Sequence, residues 1–275
     1  MTRVIAGIGI KEGKMWVERL ARFGYAAKGI VYAIIGVLAV QAAVGQGGKT
    51  TDAKGALGAI AAQPFGKFLL ALMAFGLIGY VVWRAVQTIQ DPEHKGNDPK
   101  GLATRLGYGI SGLIYASLAF SAIRLIMGSG DSGSGSSSQQ DWTARVLSQP
   151  FGQWLVGLFG AFIIGLGFYQ MYKAYKAKFR KEMKLREMSP TEETWATRIG
   201  RFGIAARGIV FVIIGFFLLQ AARQSDPSQV RGLDGALQAL AQQPYGPWLL
   251  GIVALGLLAY GIYMGVQARY ARIIA

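Results

Sequence analysis

The sequence predicts an all-α integral membrane protein with six transmembrane helices, arranged as three parallel tandem two-helix repeats, each with a short interfacial helix. Three observations predict this fold class: six long apolar stretches, an uneven distribution of lysine and arginine, and two sequence patterns that each occur three times. The composition agrees, because 52% of the 275 residues are hydrophobic and only 16% are charged. Charged residues make up about a quarter of a typical soluble domain.

Six apolar stretches are long enough to cross a bilayer as helices, which takes about 20 residues. Backbone polar groups in lipid must be satisfied within the segment, so helices are the expected form. The predicted spans cover residues 23–44, 66–89, 106–127, 152–172, 202–222 and 246–268.

Lysine and arginine predict the orientation of these spans. The two termini and the even-numbered loops together carry 19 of them, whereas the odd-numbered loops and the span ends next to them carry 7. The positive-inside rule therefore predicts a multi-pass membrane protein with both termini in the cytoplasm. The net charge of +15 follows these flanks, so it indicates anionic lipid headgroups at the cytoplasmic face as partners and no nucleic acid.

Two patterns define the internal repeat. The first, Arg-x-Gly-x4-Gly followed by two aliphatic residues and an aromatic one, begins at Arg22, Arg105 and Arg201. The second, Gln-Pro-aromatic-Gly, begins at Gln63, Gln149 and Gln243. We divide the chain into an N-terminal cytoplasmic segment and three repeats of two spans, the second with a basic cytoplasmic extension: residues 1–19, 20–92, 93–187 and 188–275.

A short amphipathic stretch precedes each Gln-Pro-aromatic-Gly pattern and opens with an aspartate: Asp52, Asp141 or Asp234. A carboxylate near a helix start can accept the free backbone N–H groups, and the proline then ends the helix. We expect each stretch to form a short helix at the membrane interface with its apolar side on the bilayer.

The three parallel copies predict a six-helix bundle around a pseudo-threefold axis, with an open row of hairpins as the competing arrangement. Glycines recur at one spacing in the first spans, as Gly24/Gly29, Gly107/Gly112 and Gly203/Gly208. In lipid, helix association depends on close van der Waals contact, which small residues permit. We therefore expect these glycines to lie at helix–helix contacts.

These patterns resemble the bacterial membrane proteins grouped as domain-of-unknown-function family 1206. The resemblance runs from about residue 15 onward and includes all three copies. Copy two departs most, because Ser111 replaces the equivalent Lys28 and Arg207, and a Ser/Gly-rich insertion occupies 128–138. The resemblance implies the fold and the compartment, which is the bacterial cytoplasmic (inner) membrane, but no activity.

The sequence contains no candidate catalytic, cofactor-binding or metal-binding residue, and we expect the protein not to be an enzyme. It has no cysteine, and all fourteen acidic residues fall outside the predicted spans. Intramembrane carboxylates are the usual carriers of proton relays. The single histidine, His94, lies in a polar linker, where a solvated side chain is the simpler interpretation and a metal ligand the alternative.

Three basic residues lie within the predicted spans near the cytoplasmic boundary: Lys28, Arg84 and Arg207. One interpretation is that these long side chains extend to the headgroups, as basic residues near helix ends commonly do. The other is contact with a lipid phosphate or another anionic ligand.

A second polar set lies near the outer ends of the spans. The residues 19 positions after each opening arginine are Gln41, Arg124 and Gln220. Around a pseudo-threefold axis they would form an outer polar ring; alternatively, they mark the membrane–water boundary. Residues 173–187 are strongly basic and are predicted to extend the fourth span as a helix that either binds anionic lipid or an acidic partner, or simply anchors the chain.

The sequence favours a non-enzymatic structural or accessory subunit, or a lipid-interacting membrane protein, with a membrane-protein partner or a homo-oligomer as further options. The alternative is a passive channel or carrier for a small solute, ion or lipid along the pseudo-threefold axis. Such a pathway would need polar residues through the full membrane depth, and the sequence places them mainly near the ends.

Overall fold

The computed structural model describes residues 2–92, 96–129 and 135–273; for residues 2–14, 100 and 135–138 it describes the backbone alone. In these residues the fold is all-α, apart from one isolated bridge. The nine helices of the described part are α1 (Thr2–Ala43), α2 (Ala53–Ala61), α3 (Gly66–Ile89), α4 (Pro99–Ile126), α5 (Gly135–Leu147), α6 (Gly152–Tyr175), α7 (Pro190–Gln224), α8 (Leu233–Ala241) and α9 (Gly246–Tyr270). All except α2, α5 and α8 contain a stretch long and apolar enough to cross a membrane, which confirms the six predicted spans.

The six spans pack in cyclic order. Each second span packs against the first span of the next repeat, as α3 with α4, α6 with α7 and α9 with α1. Within repeats 1 and 3 the two spans also pack together, as α1 with α3 and α7 with α9. In the described part of the chain, α4 and α6 of repeat 2 share no extended interface. We call the gap between them the repeat-2 seam. A closed pseudo-threefold bundle is not confirmed, because this sixth contact is missing.

The glycines of the first spans show where helices touch. A Cβ on Gly24 would lie 2.5 Å from the amide nitrogen of Tyr80, and one on Gly203 would lie 2.4 Å from that of Tyr260. In repeats 1 and 3 the two spans therefore meet backbone to backbone, as small residues allow. Gly107 holds the equivalent position in repeat 2, yet a Cβ there would meet nothing within 4 Å. It faces the seam.

Two of the opening arginines, Arg22 and Arg105, join their repeat to the preceding one around the ring. Arg22 donates a hydrogen bond to the carbonyl oxygen of Ala268 near the end of α9, and Arg105 donates to those of Thr88 and Ile89 at the end of α3. The last carbonyls of a helix lack intrahelical partners and carry partial negative charge. These two arginines therefore stabilise the C-terminal end of the neighbouring repeat.

The three short helices begin differently. The Asp52 carboxylate caps α2 and accepts a hydrogen bond from the Gly55 amide at 2.9 Å, as predicted. Asp234 lies in the first turn of α8. The prediction for Asp141 is wrong, because α5 begins six residues before it and Asp141 lies in the middle. The end of the Ser/Gly-rich insertion has become part of that helix.

The apolar sides of α2 and α8 pack on the bundle. Leu57 and Leu237 are fully buried in the same core as the spans. The prediction that these sides lie on the bilayer is therefore wrong for α2 and α8. In α5, by contrast, Trp142 is largely exposed.

The Gln-Pro-aromatic-Gly pattern forms a tight turn between each short helix and the next span. Its aromatic residue has a left-handed backbone, with φ of 63° at Phe65, 64° at Phe151 and 62° at Tyr245. A Cβ on the following glycine would lie 1.9 to 2.3 Å from a carbonyl oxygen of the short helix, so no other residue fits without movement. All three aromatic side chains are exposed, as in the aromatic belts at membrane–water boundaries.

The prediction of a basic helix over residues 173–187 is wrong. α6 ends at Tyr175, and Ala177 has a left-handed φ of 48° that turns the chain away from the helix axis. Two short 3-10 turns follow, at Lys178–Glu182 and Leu185–Glu187.

Residues 176–188, which we call the cap segment, fold back across the end of the bundle. Phe179 and Met183 are fully buried, and the Phe179 ring packs edge-on against Tyr263 with 5.2 Å between centroids. Met183 forms the isolated bridge with Ala271. Burial of these two apolar side chains outweighs the tendency of a basic helix to continue into water.

We expect Phe179→Ala to release the cap segment. Truncating a fully buried phenylalanine costs about 3–5 kcal/mol, which is enough to open this segment without unfolding the spans. Trypsin should then cleave at the lysines and arginines of the cap segment much faster, as measured by mass spectrometry of a timed digest. Tyr175→Ala, at an aromatic residue that is 76% exposed, is the control. Equal cleavage rates in the two variants would contradict the anchoring role.

Candidate functional site

A cavity lies inside the end of the bundle where the first span of each repeat begins, which we call the basic end. Its volume is about 160 Å³, room for roughly five water molecules at ~30 Å³ each. All six spans, the cap segment and the C-terminal residues contribute to its lining, which consists of Tyr25, Lys28, Arg84, Gln87, Tyr108, Ser111, Gln170, Lys173, Glu182, Ile204, Arg207, Tyr260, Tyr263, Met264, Gln267, Ala271 and Arg272.

Most of this lining follows the repeat. The positions three and six residues after the opening arginines contribute Tyr25, Tyr108 and Ile204, and then Lys28, Ser111 and Arg207. The positions 21 and 24 residues after the Gln-Pro glutamines contribute Arg84, Gln170 and Met264, and then Gln87, Lys173 and Gln267. Four complete sets of repeat-equivalent residues therefore surround the cavity, which lies where the three repeats meet.

Lys28 is buried, with only 3% of its surface exposed. Its amine donates a hydrogen bond to the Tyr80 hydroxyl at 3.1 Å. The amine also lies 4.9 to 5.6 Å from the ring centroids of Tyr80, Tyr115 and Tyr260, a favourable cation–π geometry. A lysine that extends to the headgroups keeps its amine in water, whereas this amine points into the protein.

Two guanidinium groups join this amine. Arg84 donates through Nε and Nη2 to the Tyr80 hydroxyl and through Nη1 to Gln87 at 2.7 Å. Arg207 donates through Nη1 to the Tyr260 hydroxyl at 3.2 Å, but its Nε is buried without a hydrogen-bond partner. Unpartnered buried donors are rare in proteins and call for an explanation. Here the donor belongs to a cavity-lining cation.

Positive charge dominates the cavity. Five of its lining residues are basic and one, Glu182, is acidic. The Glu182 carboxylate is paired with Lys173 at 2.6 Å. Across the described residues, Lys28, Arg84 and Arg207 take part in no ion pair. Like charges held together away from water raise the free energy of the charged state, so an anion in this cavity would relieve the repulsion.

A layer of tyrosines lies on the side of the cavity that faces the other end of the bundle. Tyr80 packs edge-on against Tyr115 with 4.7 Å between ring centroids, and Tyr32 packs in the same way against Tyr260 at 4.8 Å. Edge-to-face pairs at this distance are well packed and favourable. Lys28, Arg84 and Arg207 therefore donate hydrogen bonds to tyrosine hydroxyls at the edge of this aromatic layer.

The predicted outer set lies beyond this layer. Gln41 and Arg124 are exposed, Gln220 is partly buried, and none of the three lines the cavity. Arg124 donates to the carbonyl oxygen of Ser129 at the end of α4, where a cation is favourable. His94 lies outside the described residues, and within the described ranges no cluster of three metal-ligating side chains occurs.

The sequence did not point to the tyrosines of the cavity or, apart from Arg84, to its polar residues from the second spans. The signal was present in the register of the repeat, because aligning the second spans on their Gln-Pro glutamines places Gln87, Lys173 and Gln267 at one level. Counting only from the opening arginines covers the first span of each repeat alone.

The fold and the site define a six-span α-helical membrane protein of three repeats with an internal basic cavity. The chain belongs to the family described as Domain of Unknown Function (DUF1206), which matches residues 23–91, 106–177 and 202–271. It is 43% identical over 260 residues to the uncharacterized protein YxxB of Bacillus subtilis strain 168, covering 94% of this chain and 93% of that protein. No solved structure matches the chain.

Proposed function

We propose that this protein is a non-enzymatic protein of the bacterial cytoplasmic membrane that binds a phosphate-bearing anion in the cavity at its basic end. The observation that carries the proposal is the convergence of Lys28, Arg84 and Arg207 on one cavity without a carboxylate partner. Guanidinium groups match phosphate oxygens in charge and geometry. The unpartnered Nε of Arg207 supplies a donor that a phosphate oxygen would accept from.

The orientation supports a lipid-interacting role. Lysine and arginine concentrate at the basic end, which the positive-inside rule assigns to the cytoplasm together with both termini. Basic pockets between transmembrane helices on the cytoplasmic side recognise anionic lipid headgroups. We therefore assign the anionic lipids of that leaflet as the partner class.

A carrier is the second candidate, and the position of the cavity favours it over an open channel. The cavity lies where all six spans meet, which is where a bundle can expose one site to either side. The tyrosine layer would have to open for an anion to continue toward Gln41, Arg124 and Gln220. Uptake of phosphate into liposomes that contain the protein would distinguish this function from binding alone.

Binding is tested with the delipidated, purified protein. Its melting temperature is measured while sodium phosphate replaces sodium chloride at constant ionic strength. A ligand at a hundred times its Kd stabilises by about 2.7 kcal/mol, so the melting temperature should rise by roughly 5–10 °C. Arg207→Gln should abolish the rise, whereas Arg201→Gln, at an exposed arginine of the same helix, should preserve it. No rise in the wild type, or an equal rise in both variants, would contradict the proposal.

A further inference from the structure

The repeat-2 seam borders the cavity. Tyr108 and Ser111 of α4 and Gln170 and Lys173 of α6 all line it, although the two helices share no extended interface. These spans are also the least buried of the six, at 28% and 17% of their apolar windows. The cavity wall is therefore incomplete on the side of repeat 2.

The repeat identifies which residues face the seam. In repeat 1, a Cβ on Gly79 of α3 would lie 2.5 Å from the carbonyl oxygen of Leu20 in α1. Gly165 is the equivalent residue of α6, and a Cβ there would meet nothing within 4 Å. Gly107 of α4 is open in the same way. Both glycines therefore lie on the facing sides of the seam, with space between them.

Larger side chains account for the seam. In repeat 1 a Cβ on Gly76 would lie 2.6 Å from the Cβ of Ala27, so an alanine and a glycine form a close contact at this level. Repeat 3 uses the same combination of residue types. In repeat 2 the equivalent residues are Ile110 and Phe162, and both are exposed. Two bulky residues at this level prevent close packing, and with the exposed Leu106 they give the seam an apolar rim.

We propose that the anion is the headgroup of a phospholipid that enters the cavity from the side, through the repeat-2 seam. This inference rests on the anion binding proposed above. Its phosphate lies among Lys28, Arg84 and Arg207, and its acyl chains lie along the apolar rim. A cavity of about 160 Å³ holds a headgroup phosphate but not a whole lipid. A basic cavity continuous with an apolar groove is complementary to an amphipathic anion. A free anion would need no such groove.

The test fills the seam and leaves the cavity intact. The double variant Gly107→Leu/Gly165→Leu places side chains in open space, so the helices themselves are not disturbed. The control, Leu113→Phe/Leu158→Phe, adds bulk at side chains of the same helices that are 74% and 72% exposed. Delipidated proteins are mixed with phosphatidylglycerol or phosphatidylcholine, and bound lipid is counted by native mass spectrometry. Phosphate binding is measured separately by melting temperature.

We expect the wild type and the control to retain one phosphatidylglycerol in preference to phosphatidylcholine. The seam variant should retain at least tenfold less, with its response to phosphate unchanged. Equal retention by the seam variant, or retention that survives Arg207→Gln, would overturn lateral entry. Phosphate binding by the wild type without lipid retention would identify a free anion as the ligand; it would overturn this inference and the assignment of lipid as the partner, but not anion binding in the cavity. Loss of both in the wild type would overturn the proposed function as well.

Discussion

Replacing Lys28 by methionine is expected to weaken phosphate binding by about ten- to hundredfold and, in the ligand-free protein, to raise the melting temperature. A hydrogen bond to a charged partner contributes about 1.5–3 kcal/mol, which corresponds to that loss of affinity. The stability change has the opposite sign. The buried amine lines the same cavity as Arg84 and Arg207 and has no ion-pair partner among the described residues. We expect the repulsion and desolvation relieved by removing its charge to exceed the lost contacts with the tyrosine rings.

The opposite signs distinguish a binding residue from a structural one. Methionine has nearly the length of lysine and keeps the apolar contacts with the surrounding rings. The Tyr80 hydroxyl retains its hydrogen bonds from Arg84, so no buried acceptor is left unpaired. A gain of about 1 kcal/mol would raise the melting temperature by roughly 2–4 °C. A lysine that only supported Tyr80 would instead lower it when removed.

Thermal unfolding of delipidated protein with and without sodium phosphate measures both effects. Lys181→Met is the matched control, because Lys181 is an exposed lysine of the cap segment and does not line the cavity. It should change neither quantity measurably. A lower melting temperature of Lys28→Met together with unchanged phosphate binding would remove Lys28 from the site.

The sequence was sufficient for the spans, their order and the repeat, because each depends on local composition or on spacing along the chain. A run of about 20 apolar residues crosses a bilayer whatever its neighbours are. The six spans, from Met15–Ala43 to Gly246–Tyr270, follow this rule. The fold of the cap segment could not be predicted in this way. Its basic sequence is typical of a helical extension, whereas its fold depends on burial of Phe179 and Met183 against residues from distant parts of the chain.

The site could be predicted in part. The three intramembrane basic residues stood out because such residues are costly in lipid, and all three line the cavity. Whether they met lipid or one another could not be decided, because the helix face that points inward depends on packing. The cavity side of α4 was further obscured by Ser111, which carries no charge. Its place in the cavity becomes visible only in the folded structure, where Lys28 and Arg207 line the same space.

The seam was also encoded but unreadable before the packing was known. Ile110 and Phe162 look like ordinary lipid-facing residues, and only the small pairs at the equivalent positions of repeats 1 and 3 show that they replace a contact. The larger side chains of Ile110 and Phe162 thus distinguish the packing of repeat 2 from that of repeats 1 and 3.

Gly203→Ala should destabilise the protein strongly, whereas Gly107→Ala at the equivalent position should not. The new Cβ of residue 203 would lie 2.4 Å from the Tyr260 amide nitrogen. Backbone cannot rotate away as a side chain can, so the cost belongs at the upper end of overpacking, about 3 kcal/mol. The higher helix propensity of alanine stabilises the folded protein by about 1 kcal/mol relative to glycine. The net loss is about 2 kcal/mol, or roughly 4–8 °C in melting temperature.

At residue 107 the overpacking term is absent, because a Cβ there meets nothing within 4 Å. Only the propensity gain remains, so Gly107→Ala should leave the melting temperature unchanged or raise it by a few degrees. Gly24→Ala should behave like Gly203→Ala, since its Cβ would lie 2.5 Å from the Tyr80 amide nitrogen. Scans of tryptophan fluorescence at one heating rate would rank the three variants. Equal destabilisation at residues 24, 107 and 203 would mean that α4 and α6 pack together after all, and the seam would not exist.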